Sequence, residues 1–113
     1  MGEAAGRAWA LSVIVRPGIE VADDALSRVC ARYKVRSLAL FGSSARGDYH
    51  QGSDVDVLVE FAPGAQVGLL ALGALQRELS GLVGARVDLV PVGGLHPGLR
   101  QQVLAEARPL YAA

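Results

Sequence analysis

Two different periods govern the alternation of apolar and polar positions along this chain, and the places where the period changes mark out its elements. Over residues 23 to about 33, Leu26, Val29, Cys30 and Tyr33 fall at helical spacing, behind Asp23 or Asp24 as an N-cap. Residues 36–41 form a short apolar run that Gly42 ends, which predicts a buried strand. Residues 43 to about 48 read as a helical turn and 49–53 as a loop. From 54 to 61 the period drops to two. Val55, Val57 and Val59 share one face, and Asp54, Asp56, Leu58 and Glu60 the other. Pro63-Gly64 closes that strand.

A second amphipathic helix is expected from about 67 to 82. Leu72, Leu75, Leu79 and Leu82 form its apolar stripe, Gln76, Arg77, Glu78 and Ser80 lie opposite, and Gly84 stops it. Residues 86–90 read as a third, β-branched strand and 91–94 as a loop. Pro97 suits the first turn of a last helix reaching about 107, with Leu99, Val103, Leu104 and Ala107 inward. Leu110 and Tyr111 are expected to pack against that helix. The predicted fold is therefore a small α/β (α+β) domain, a short mixed β-sheet with helices packed on one side. It occupies residues 23–113, and residues 1–22 are an N-terminal extension with no assigned role.

Composition narrows the class. Of 113 residues, 51% are apolar and 19% charged, enough apolar content for a real core. The formal charge is zero, so no basic patch advertises a grip on long nucleic acid. Residues 8–15 make an apolar run that Ser12 breaks and Arg16-Pro17 stops, too short to span a bilayer. An edge strand or a loose leader is the preferred reading of it over a targeting segment, and no membrane association is expected. Cys30 is the single cysteine, which excludes an intrachain disulfide or a cysteine metal cluster and fits a cytoplasmic protein. Its place in the helical stripe makes it a core residue rather than a reactive thiol.

The chemistry concentrates in one stretch, Gly42-Ser43 followed ten residues later by Asp54-Val55-Asp56. Residues i and i+2 of a strand project from the same face, so both carboxylates converge. Such a pair resists ionising together unless a cation sits between, and hard oxygen ligands suit Mg2+ or Mn2+. Asp88, in the short third strand, is the candidate third carboxylate. Gly42-Ser43 turns from a strand into a helical turn, which aims backbone N–H groups at an anion, and Gly42 lets a phosphate approach closely. Arg46 reads either as a phosphate contact or as the ion-pair partner of Asp48 or Glu60. A phosphate cradle with three carboxylates is the set of parts needed for two-metal nucleotidyl transfer.

Gly42-Ser43-x10-Asp54-x-Asp56 resembles the signature of the DNA polymerase β-like nucleotidyltransferase superfamily. The strings Phe41-Gly-Ser-Ser-Ala-Arg-Gly47 and Ser53-Asp-Val-Asp-Val-Leu-Val59 are similar to its minimal nucleotidyltransferase branch. The likeness runs from about residue 23 to 111 and includes Val87-Asp88-Leu89. It implies that Asp54 and Asp56 bind both metal ions and that Asp88 binds the catalytic one and helps activate the attacking hydroxyl. Gly42 and Ser43 would hold the triphosphate of ATP. Small members of this branch are antitoxins of HEPN-domain toxins, and characterised ones transfer AMP to a tyrosine of the toxin. The implied partner is then such a toxin, which supplies the acceptor that so small a domain has no room to select.

Other residues take blander readings. His50 and Tyr49, in the loop, could touch phosphate or stack on a base. His50 reads better as an exposed loop residue without a role, and Tyr49 at least as well as a partly buried loop aromatic. His96 begins the last helix, and Trp9 with residues 11–15 forms an association surface or an added strand. Two rival functions remain open at this point. One is a non-catalytic antitoxin acting by contact alone, and the other a nucleotidyltransferase for a small molecule or an RNA end.

Overall fold

The computed structural model describes residues 12–47 and 53–113. A hairpin, β1 (Ser12–Arg16) and β2 (Ile19–Ala22), lies within the extension, where the sequence admits an edge or added strand at residues 11–15 but does not announce the second strand. Pro17-Gly18 makes its turn, with Gly18 at φ +87°. Val15 and Val21 are buried in the same core as the rest of the domain.

Helix α1 (Asp23–Arg32) follows directly. Its N-cap is Ala22, without a side-chain cap, and not Asp23 or Asp24 as expected. Both aspartates lie in the first turn, where their charge favours the positive end of the helix, and Asp24 also pairs with Arg28 at 3.2 Å. Strand β3 (Val35–Leu40) leads into the short helix α2 (Gly42–Arg46), and β4 (Val55–Phe61) begins one residue later than its alternation suggested. Helix α3 (Leu69–Val83) ends at Gly84 in the left-handed region, as the sequence predicts. Strand β5 (Val87–Pro91), a 3-10 turn (Val92–Gly94), helix α4 (Pro97–Glu106) and strand β6 (Arg108–Ala112) complete the chain.

The main sheet has the order β5-β4-β3-β6, with β4 and β5 parallel and the other pairs antiparallel. It is the mixed sheet expected. Leu38, Leu40, Val55, Val57, Val59, Val87 and Leu89 form its buried face. Leu26, Val29 and Cys30 of α1 and Leu75 and Leu79 of α3 join them in one core. Cys30 is fully buried, and burial pushes its thiol up to about 12, which makes it a core residue. No helix among the described residues is long and apolar enough to cross a membrane.

Three expectations are overturned. Gln76 and Ser80 do not face solvent opposite the stripe. The Val87 N–H donates to Ser80 Oγ (3.0 Å) and the Leu89 N–H to Gln76 Oε1 (3.1 Å), so α3 satisfies the donors on the outer edge of β5. The last helix buries nothing, and Leu99 and Leu104 are exposed rather than inward. Leu110 and Tyr111 pack on the core from a strand of their own, β6, not against that helix. Pro109 disguises this strand in the sequence, because proline is tolerated only where no ladder donor is needed, as on an edge strand like β6.

Candidate active site

Four local features bring Gly42 and Asp56 together. Gly42 sits at φ +61°, in the left-handed region where side chains are strained. A Cβ there would also stand 3.1 Å from Asp56 Oδ2. The Phe41 N–H donates to the Asp56 carbonyl at 3.1 Å, and the Asp56 N–H donates to Ser44 Oγ at 3.1 Å. Both backbone groups of Asp56 are thus held by the turn that Gly42 opens. Ser44 is 3% exposed, and the sequence reading passed over it in favour of Ser43, which is half-buried. Only its tertiary partner distinguishes it. Gly47, at φ +82°, ends the turn as its N–H reaches the Ser43 carbonyl at 2.9 Å.

The parallel ladder of β4 and β5 sets Asp56 beside Asp88 as register partners, so their side chains share a face, opposite the valine face of β4. Asp54 precedes β4 by one residue and Asp56 by two. The carboxyl of half-buried Asp56 is raised above its ordinary value, first by burial, then by the charges of Asp88 and Asp54, with Arg46 opposing. The three sequence-predicted carboxylates and Arg46 therefore act on one point. Like charges at this spacing separate, and Asp54 turns partly toward Arg86 Nε at 3.8 Å. Among the described residues, no three acidic, histidine or cysteine side chains are gathered closely enough to hold a metal ion. The three carboxylates are all hard oxygen donors, and the repulsion that raises Asp56 is what a divalent cation would relieve, so in donor chemistry they suit Mg2+ or Mn2+.

Arg46 lies 3.9 Å from Glu106 of α4, with both side chains about half exposed. Glu60, one of the partners expected for it, instead accepts from the Ser37 hydroxyl at 3.4 Å. Helix α4 packs beside α2, which places Glu106 next to the turn. His96 caps α4, its Nδ1 accepting from the Gly98 N–H at 3.0 Å, in keeping with its reading as a helix start. Trp9, Asp48, Tyr49 and His50 lie outside the described residues.

The pattern of the nucleotidyltransferase domain matches residues 23–111, and the chain belongs to that family. It is a nucleotidyltransferase. The protein adenylyltransferase MntA of Thermococcus cleftensis is 41% identical over 75 residues, covering 66% of this chain and 74% of that protein. A solved structure described as a candidate minimal nucleotidyltransferase is 46% identical with a TM-score of 0.65, covering 77% of this chain and 87% of its own. The crystal structure of a toxin–antitoxin with AMP-PNP contains a chain 26% identical with a TM-score of 0.63, covering 80% of this chain and 73% of its own.

Proposed function

We propose that this chain is a Mg2+-dependent protein adenylyltransferase, the cytoplasmic antitoxin of a HEPN-domain toxin, and that it transfers AMP from ATP to a tyrosine of that toxin. The observation that carries the reading is the register of Asp56 against Asp88 with Gly42 closed on Asp56, which sets two aspartates and the glycine turn side by side. The name of the Thermococcus relative and the nucleotide analogue in the toxin–antitoxin complex support the same substrate class.

In this reading Asp54 and Asp56 hold both metal ions, and Asp88 holds the catalytic one. Bound there, Mg2+ (or Mn2+) supplies charge stabilisation to the attacking and leaving oxygens. Gly42 and Ser43 hold the triphosphate, Gly42 through its backbone and Ser43 by its hydroxyl. Arg46, on the last turn of α2, would add a contact to the triphosphate. The acceptor hydroxyl attacks the α-phosphate, its proton leaves with help from Asp88, and pyrophosphate departs. An O–P bond to AMP forms as the α–β bridge breaks.

The test is incubation with labelled ATP, Mg2+ and the protein encoded by the adjacent reading frame. Label should pass to a tyrosine of that protein, and an Asp54→Asn/Asp56→Asn variant should transfer none. Retained neutralisation of the toxin by that variant would reject the catalytic account and leave binding alone. Labelling of RNA or a small molecule in place of the protein would reject the acceptor.

A further inference from the structure

We infer that Arg16 is a positioning residue for the catalytic aspartates, acting from the hairpin that precedes the family-matched stretch. The inference rests on the metal-binding role proposed for Asp54. Arg16 closes β1 and is 7% exposed. Burying a guanidinium is unfavourable unless it is well bonded. Its Nη2 donates to the Ser53 carbonyl at 2.9 Å, across 37 residues of sequence. That carbonyl belongs to the peptide leading into Asp54.

On the other side of Asp54, the Val55 N–H donates to the Arg86 carbonyl at 2.8 Å. Asp54 therefore hangs between two held backbone groups, one fixed by Arg16 and the other by the chain ahead of β5. This matters because Asp54 lies just outside the β4 ladder, where strand pairing gives it no support of its own. Its charge also adds to the repulsion felt at Asp56, which favours splaying apart. A charge-assisted bond to the preceding carbonyl opposes that splay.

The hairpin is itself anchored. Val15 and Val21 are core residues, and Arg108 Nη2 donates to the Val15 carbonyl at 3.3 Å. Arg108 thus steadies the hairpin as a whole, whereas Arg16 is the side chain that reaches Ser53 beside Asp54. The hairpin lies before residue 23, where the family match begins. It supplies geometry to a site whose ligands all lie within the match.

The experiment compares wild type, Arg16→Met, Arg16→Lys and Arg108→Met as full chains. Amide exchange is followed on metal-free protein, Mn2+ binding by electron paramagnetic resonance, and kcat and KM separately. Arg16→Met should speed exchange at residues 54–56 and weaken Mn2+ by roughly tenfold, in line with outer-shell partners of metal ligands elsewhere. Its kcat should fall more than its KM for ATP rises, and Arg16→Lys should recover part of each effect. Arg108→Met, which loosens the hairpin without touching Ser53, should lower the melting temperature and leave Mn2+ affinity near wild type. Should Arg16→Met not fold, Arg16→Lys, which keeps a charge and a donor, carries the test by an intermediate defect in exchange and Mn2+ binding. Equal losses in Arg16→Met and Arg108→Met at matched melting temperature would reduce Arg16 to a fold-stabilising residue. A wild type that binds no Mn2+ would remove the proposed metal role, and exchange at 54–56 would still decide the positioning.

Discussion

The Cβ that Gly42 lacks would stand 3.1 Å from Oδ2 of Asp56, so the turn and the carboxylate occupy adjoining space with none to spare. A Cβ at 42 would crowd the carboxylate of a residue whose backbone C=O and N–H are both held by the same turn, through the Phe41 N–H and Ser44 Oγ.

Gly42→Ala should therefore lose more activity than stability. The left-handed backbone at φ +61° alone costs about 1–2 kcal/mol with a Cβ present. Denaturant unfolding should show a loss of that order, while AMP transfer falls by more than the unfolding loss accounts for. Wild-type transfer by the alanine variant would mean that the contact to Asp56 does not matter.

Ser43 and Ser44 should separate cleanly. Ser44→Ala leaves the buried Asp56 N–H without its acceptor, a loss of about 1–3 kcal/mol in stability together with a lower kcat. Ser43→Ala should leave the melting temperature almost unchanged and raise KM for ATP. Equal destabilisation by the two changes would contradict the assignment.

Ionisation of Asp56 opposes folding. Its folded carboxyl is raised above the ordinary 3.8, so the native state binds more protons than the unfolded chain between the two values. Stability from this group is therefore greatest at low pH and is lost as pH climbs from about 3.8 through the raised value. Asp56→Asn should abolish activity yet melt higher than wild type at pH 7 without metal, and lack that segment of the pH profile. Added Mg2+ should stabilise wild type and leave Asp56→Asn unmoved.

Glu78 carries the opposite sign. Hydrogen bonds from Tyr33 and Arg32 lower its carboxyl below the ordinary 4.5 and join the end of α1 to α3. That stabilisation is present above about 4.5 and fades as pH falls through the lowered value. Glu78→Gln should melt lower than wild type at pH 7, with the gap closing in acid. Nucleotide binding should be unaffected, because the seam lies on the helix side of the sheet and Asp56 faces the other side.

Much of the site was legible because its signal is local. A period of two sends Asp54 and Asp56 one way and Val55, Val57 and Val59 the other, and a glycine after an apolar run marks the turn. The pairing of Asp88 with Asp56 needed the β4–β5 register, which a short strand does not announce. Ser44 and Arg16 were invisible for a deeper reason: their partners lie 12 and 37 residues away and leave no trace in spacing. The fold shows the same division. Helices α1 and α3 were plain from their stripes, yet Gln76 and Ser80 looked like solvent residues until the edge of β5 was set beside them. The last helix misled through apolar residues that never meet the core, and β6 hid behind Pro109.

The bonds from Gln76 and Ser80 to β5 also bear on how another macromolecule can reach the aspartates. An incoming protein often docks by lending a strand to an open sheet margin, reading backbone rather than side chains. Beside Asp88 that route is shut, because the Val87 and Leu89 amides are already taken. In the proposed reaction, an acceptor arriving at this edge finds those amides occupied and meets the aspartate face through its side chains. On that reading, selection of the acceptor beside Asp88 rests on surface shape more than on extended-chain pairing.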